Sequence, residues 1–259
     1  MTGNYIIVGI VVQNPTYLSR TDPHHYPDLP IGHNFSFRYR LNYLIYSLGN
    51  IHHIDFTKMI RVCGLDEVGR GAFAGPLVAA AVVVRGRLEG LFENSPVPIR
   101  DSKTLSHSQR QRVVTYLKKK GVRSAIGTIS AKEINERGMA WANKEIFLRL
   151  IAKMKATKYI VDGRMKLTLN DKRVIESRVN ADAKVSQVIL ASIIAKLHRD
   201  KIMRKLHLKF PVYHWKENKG YGTKKHQLAI TEYGPCEQHR TRWLETWLSH
   251  AKITEDENG

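Results

Sequence analysis

The sequence predicts an α/β fold, and three observations predict it. From Met59 onward, short apolar runs alternate with longer amphipathic ones. The run Leu77–Val84 is so rich in Val and Ala that both of its faces would be buried, as in an interior strand. The stretch Val188–Ala195 is apolar almost all round, which suits a helix covered on every side.

The elements follow in order. Ile60–Asp66 and Leu77–Val84 read as strands. Asp101–Lys103 falls in a loop; Ser106 then opens a helix through Lys120, which Gly121 ends. Val122–Ile129 reads as a third strand, and Ser130–Gly138 and Ala140–Lys155 as helices. Tyr159–Asp162 is a short strand followed by Gly163, and Arg173–Val179 is a strand of alternating character. Ala183–Lys205 reads as one long helix, basic from Lys196 onward. The expectation is one domain over 59–259, with a core over about 59–208 and a C-terminal part over 209–259.

The chain has 259 residues, enough to bury a sizeable core. Its 42% hydrophobic and 25% charged residues exclude a disordered polyampholyte, a collagen and a multi-span membrane protein. No run approaches the ~18 apolar residues of a membrane helix. Lys and Arg number 42 against 23 Asp and Glu, a net charge of +19. Such an excess points to a polyanionic partner, nucleic acid before a membrane surface; solubilising charge is the plainer alternative. Cys63 and Cys236 can pair at most once, and no Cys or His cluster has zinc spacing. A reducing, cytoplasmic setting follows.

Residues 1–58 stand apart. They carry +1 of the charge, five of the 12 His and a turn-rich stretch from Pro15 to Pro30. Ile6–Val12 is a poor secretory signal, with no Lys or Arg before it. The preferred reading is a poorly ordered extension or a misplaced start ahead of Met59; an organelle transit peptide or a functional domain are the alternatives.

In so basic a chain, acids at the ends of apolar strands stand out. Asp66 and Glu67 end the first strand, Asp162 ends a later one, and Asp182 precedes the buried helix. Open α/β sheets place sites at the carboxyl ends of strands. Carboxylates converging there call for a hard divalent cation, Mg²⁺ or Mn²⁺. Two such ions can activate a water and stabilise a leaving phosphodiester oxygen. Taken singly, Asp182 also reads as a helix cap and Asp162-Gly163 as an ordinary turn. Adjacent strand residues face opposite ways, so Asp66 and Glu67 share a site only where the strand ends or twists.

Two further features bear on binding. Gly69-Arg70-Gly71 is a turn in which backbone N–H groups and an Arg can approach a ligand closely; it is neither a dinucleotide nor a Walker loop. Lys196–Arg242 holds twelve Lys and Arg against four acids, interleaved with Phe210, Tyr213, Trp215, Tyr221 and Tyr233. That mixture reads as a nucleic-acid surface, or else as a solvated helix face over core aromatics.

These residues resemble the type 2 ribonuclease H family, ribonuclease HII. The resemblance begins with Gly64-Leu65-Asp66-Glu67-Val68-Gly69-Arg70-Gly71 and Ala74-Gly75-Pro76-Leu77. It continues through Asp101-Ser102-Lys103, Val161-Asp162-Gly163, and Ala181-Asp182-Ala183 with the helix after it. It ends with Gly220-Tyr221-Gly222-Thr223, His226, Tyr233-Gly234-Pro235-Cys236 and His239-Arg240. The motifs cover 59–259 in order. Gly-Arg-Gly separates this pattern from the type 3 enzymes, which typically carry Gly-Lys-Gly and a separate N-terminal substrate-binding domain.

The resemblance implies a five-stranded mixed sheet flanked by helices, with a small helical C-terminal part. It implies an endonuclease, dependent on Mg²⁺ or Mn²⁺, that acts on RNA in RNA·DNA hybrids. It also implies cutting 5′ to single ribonucleotides in duplex DNA, leaving 3′-hydroxyl and 5′-phosphate ends. By that resemblance Asp66, Glu67, Asp162 and Asp182 bind metal. Gly69, Arg70 and Gly71 read the 2′-hydroxyl, Tyr221 stacks on the next sugar, and Lys103 contacts substrate. A monomer is expected; the sequence does not show whether a sliding clamp binds. Asn135, where many relatives have Asp, and Thr241-Arg242-Trp243, in place of a more usual Arg/Lys-Ser-Phe, are departures expected to lie outside the acidic site. A non-catalytic nucleic-acid-binding relative is the alternative class, and the intact acid set argues against it.

Overall fold

A computed structural model describes residues 61–84, 88–99, 102–169, 173–245 and 247, with two short strands nearer the N-terminus. The chain divides into two units, Met1–Ile60 and Arg61–Gly259. In the first, Gly9–Ile10 pairs antiparallel with Tyr43–Leu44. The expectations for the rest of 1–58, and for Asp101, lie outside the described residues.

The second unit is built on five strands: β1 Val62–Val68, β2 Leu77–Val83, β3 Arg123–Ile129, β4 Lys158–Asp162 and β5 Val174–Arg178. Their order in the sheet is β3-β2-β1-β4-β5. β3, β2 and β1 pair antiparallel, whereas β1–β4 and β4–β5 are parallel. The mixed five-stranded sheet is thus as expected. All seven residues of β2 are buried, which is why its Val/Ala run does not alternate.

Helices cover both faces. They are α1 Glu89–Glu93, α2 His107–Lys119, α3 Ala131–Arg137, α4 Met139–Lys153, α5 Ala181–Lys184, α6 Ser186–Lys209, α7 Trp215–Asn218 and α8 Lys224–Tyr233. Ser106 and Ser130 each accept from the backbone N–H three residues on, and Gln109 and Glu133 reach back, so both predicted starts are capping boxes. On one face Cys63, Leu65, Ala79 and Ala81 pack with Ile146, Phe147 and Leu150 of α4. On the other, Val78, Ala80 and Val82 pack with Val113 and Leu117 of α2 and Leu190, Ala191 and Ile194 of α6.

Three expectations are corrected. The first strand extends two residues further than predicted, to Val68, so Asp66 and Glu67 lie within it. The predicted helix Ala183–Lys205 is interrupted: Val185 is extended, separating the one-turn α5 from α6, which continues to Lys209. The short α1 was missed, being too brief for a periodic signal. Cys63 and Cys236 are both free thiols. Among the described residues, no helix is long and apolar enough to cross a membrane.

Candidate active site

The acids come from two parallel neighbours, β1 and β4, and from the helical turn α5 that follows β5. β1 and β4 pair in parallel up to Leu65 opposite Val161. One residue beyond that pair stand Asp66 and Asp162, side by side at the carboxyl ends of the two strands. Asp162 Oδ1 accepts the N–H groups of Ala181 at 2.7 Å and Asp182 at 3.3 Å. A strand-end carboxylate thereby caps α5 and carries Asp182 to the same edge. Asp182 itself does not cap α6, whose N-cap is Val185. A Cβ on Gly64 would fall 2.4 Å from Val188 N, so only glycine lets the first turn of α6 sit directly on β1.

Strand alternation sends Asp66 and Glu67 to opposite faces: Leu65 lies with the α4 core and Val68 with the α6 core. They meet electrostatically at the sheet edge. Asp66 is 9% exposed, and burial drives its carboxyl well above the usual range; Glu67, Asp162 and Asp182 push it further. Only the Glu67 N–H, donated to Asp66 Oδ1 at 2.8 Å, opposes this. Glu67 is pushed up to about 7 by burial, with Arg70 opposing and Asp162 and Asp182 adding to the rise. Lys103 Nζ lies 3.3 Å from Asp182 Oδ2. Among the described residues no three His, Cys, Asp or Glu side chains form a ready-made metal cage.

Lys103 owes its place to a buried pair. Arg110 donates to Asp200 Oδ2 at 2.9 Å and to the carbonyls of Ser102 and Leu105, which flank Lys103 in the loop before α2. Glu67, Arg70, Asn143, Asp162, Arg164 and Trp243 line a groove of about 420 Å³. Trp243 was expected outside the acidic site; the C-terminal segment folds back and places it in this groove.

The loop after β1 is gripped by the C-terminal part. The Phe73 and Ala74 N–H groups donate to Gly220 O, and Gly75 N–H donates to Gln238 O. The Tyr221 ring lies 5.3 Å from the Arg199 guanidinium, which itself packs against Gly69. Gly69 has φ +90°, and Arg199 Nε would lie 2.1 Å from a Cβ there, so both backbone and packing demand glycine.

The basic and aromatic segment is only partly a surface. Arg199, Arg240, Tyr213 and Trp215 are buried. Arg199 donates to the carbonyls of Pro76, Ala74 and Lys219, and Arg240 to those of Gly69, Arg70 and Gly75. Trp215 Nε1 donates to His226 Nε2, which lies 3.1 Å from His239 Nε2. From sequence these residues carry motif and surface readings but no bracing role. Charge and aromatic content read them as a nucleic-acid surface, with a solvated helix face over core aromatics as the alternative, and only their distant hydrogen-bond partners reveal the bracing role.

The profile of the ribonuclease HII family matches residues 63–246. The chain belongs to the ribonuclease HII family. A ribonuclease HII of Clostridium perfringens strain SM101 is 38% identical over 206 residues, covering 77% of this chain and 73% of that protein. A ribonuclease HII of Syntrophobacter fumaroxidans is 39% identical over 184 residues, covering 69% of this chain and 74% of that protein. Among solved structures, ribonuclease H2 from Pyrococcus horikoshii is 27% identical with a TM-score of 0.60, covering 71% of this chain and 94% of that one. The ribonuclease HII of Archaeoglobus fulgidus, solved in complex with PCNA, shares the fold at 24% identity and TM-score 0.60, covering 71% of this chain and 95% of that one. As a ribonuclease HII, the chain is an endonuclease that cleaves RNA in RNA·DNA hybrids and at ribonucleotides embedded in DNA.

Proposed function

We propose that this ribonuclease HII cuts 5′ to the ribonucleotide by metal-assisted attack of water, leaving 3′-hydroxyl and 5′-phosphate ends. In this reading Asp66, Glu67, Asp162 and Asp182 hold Mg²⁺ or Mn²⁺. The observation that carries it is the gathering of buried Asp66 and half-buried Glu67 with Asp162 and Asp182 at the carboxyl end of the central parallel strands, where burial first and the neighbouring acids second raise the Asp66 and Glu67 carboxyls. Hard oxygen donors in mutual repulsion suit a hard divalent cation. Their present partners are a lysine on Asp182 and backbone N–H groups on Asp162. Bound there, the metal supplies an activated water and a counter-charge for the leaving oxygen.

The chain's own residues do the rest. Gly69, Arg70 and Gly71 meet the 2′-hydroxyl, the group that tells RNA from DNA. Tyr221 stacks on the sugar that follows. Lys103, beside Asp182, contacts substrate, and the basic surface neutralises phosphates without reading sequence. The catalytic unit is 59–259, with about 59–208 as core and 209–259 as the substrate-binding part; it acts in the cytoplasm as a monomer.

The test is duplex DNA with one embedded ribonucleotide, incubated with and without Mg²⁺ or Mn²⁺. Cleavage on the 5′ side is expected only with metal. No cleavage with either ion, or equal cleavage in a chelator, removes the proposal.

A further inference from the structure

The Ala72 N–H donates to the Gly69 carbonyl at 3.4 Å, closing a turn whose central residues, Arg70 and Gly71, are exposed. The central peptide of such a turn is Arg70 C=O with Gly71 N–H. It has two orientations, about half a rotation apart, which separate type I from type II. Glycine in the third position makes both accessible, because the second needs positive φ there. Gly71 is not in the left-handed region, and a Cβ on it would meet nothing within 4 Å. The fold itself therefore does not require glycine at 71, and the space beside it is open to a ligand.

A residue far along the chain selects the orientation. Arg240 is 1% exposed, and its guanidinium Nη1 donates to Gly69 O at 2.6 Å and Arg70 O at 3.0 Å. Its Nε and Nη2 both donate to Gly75 O. In a trans peptide the C=O and N–H point opposite ways, and among the described residues no peptide is cis. Drawing the two carbonyls inward thus turns the N–H groups of Arg70 and Gly71 outward, to the exposed side. Asn135 fixes the frame on both flanks of Arg240: its Nδ2 donates to His239 O at 2.9 Å, and its Oδ1 accepts the Thr241 N–H at 3.0 Å. Asp could accept from Thr241 but could not donate to His239.

We propose that Arg240, anchored by Asn135, is a positioning residue for ribose recognition: it locks the central peptide of the Gly69–Ala72 turn so that the turn offers donors, not acceptors, to the 2′-oxygen. With the peptide flipped, the Arg70 carbonyl would face the substrate. This rests on the reading of Gly69-Arg70-Gly71 as the ribose contact.

The experiment compares single-turnover cleavage of two duplexes, one with an embedded ribonucleotide and one with its 2′-fluoro analogue, in the full chain. Fluorine is a much weaker acceptor than a hydroxyl oxygen. Arg240→Lys keeps the charge but cannot bridge the carbonyls of Gly69, Arg70 and Gly75. It should lower kcat on the ribonucleotide about tenfold or more, with KM within about twofold. The ratio of hydroxyl to fluoro rates should shrink with it. Asn135→Ala, half-buried and away from the acids, should shift the same ratio by a smaller factor with its melting point retained, and it decides the matter should Arg240→Lys fail to fold. A wild-type ratio in Asn135→Ala, or in a folded Arg240→Lys, overturns the proposal. Gly71→Ala tests the underlying reading: wild-type rates there remove the ribose contact itself. Impaired Gly71→Ala beside a wild-type ratio in the other two removes only the role of Arg240.

Discussion

Arg110 and Asp200 form a buried ion pair, Nη2 to Oδ2 at 2.9 Å, that ties the loop before α2 to the middle of α6. Both side chains are under one-tenth exposed. Removing one partner leaves a buried, uncompensated charge. Asp200→Ala should therefore destabilise the fold by about 3–5 kcal/mol, read from urea unfolding. A loss below about 1 kcal/mol, the surface-pair range, would show the pair is not sealed from water.

The His226–His239 pair makes one acid-sensitive contribution to stability. Cys236 N–H donates to His239 Nδ1, so the proton of that ring sits on Nε2, facing His226 Nε2. His226 Nε2 also accepts from Trp215, which leaves its own proton on Nδ1, toward Tyr221 O. A further proton on either ring meets a donor. Burial lowers both pKa values, that of His239 from 6.5 to about 4. Below pH 6.5 the unfolded chain takes up protons that these rings refuse in the folded chain, so the pair's contribution to stability is full above pH 6.5 and is lost towards pH 4, while the raised carboxyls of Asp66 and Glu67 act in the opposite sense. For His239 the fall is about 1.4 kcal/mol per pH unit over that range, and His226 adds in the same direction. Urea midpoints at pH 8, 6 and 5 check this, and His239→Gln should flatten the profile. An equally steep profile in that variant would assign the acid loss elsewhere.

Asp66 pairs loss of function with gain of stability. Its carboxyl is buried and repelled by three others. Asp66→Asn should abolish cleavage yet raise the metal-free melting temperature by a few degrees, about 1 kcal/mol. Mg²⁺ or Mn²⁺ should raise the melting point of the wild type and scarcely that of the variant. Retained cleavage, or an equal metal-induced shift, would remove Asp66 from the ligand set.

Tyr221 is held by its backbone, whose carbonyl meets His226, while its ring lies over Arg199. Tyr221→Ala should slow cleavage at a single embedded ribonucleotide about tenfold while changing the duplex Kd by less than about threefold. A matching loss in Kd would make the ring a general binding contact.

The α/β class, the five strands, both serine-capped helices and the four acids with Gly69-Arg70-Gly71 were legible in the sequence, because each rests on local information. Alternation, apolar runs and caps are properties of a few neighbouring residues, and the acids stand out by sign against a net charge of +19. Only the tertiary structure decided what each charge does. Arg199 and Arg240 carry the same formal charge as Lys224, yet they are buried against carbonyls as far as 171 residues away. Trp215 and Tyr213 look like stacking platforms but close a core around two histidines. The paired strands bring Asp66 beside Asp162, and the capped turn after β5 brings Asp182 to them. Burial and hydrogen-bond geometry are set by non-local partners, so spacing along the chain carries no record of them.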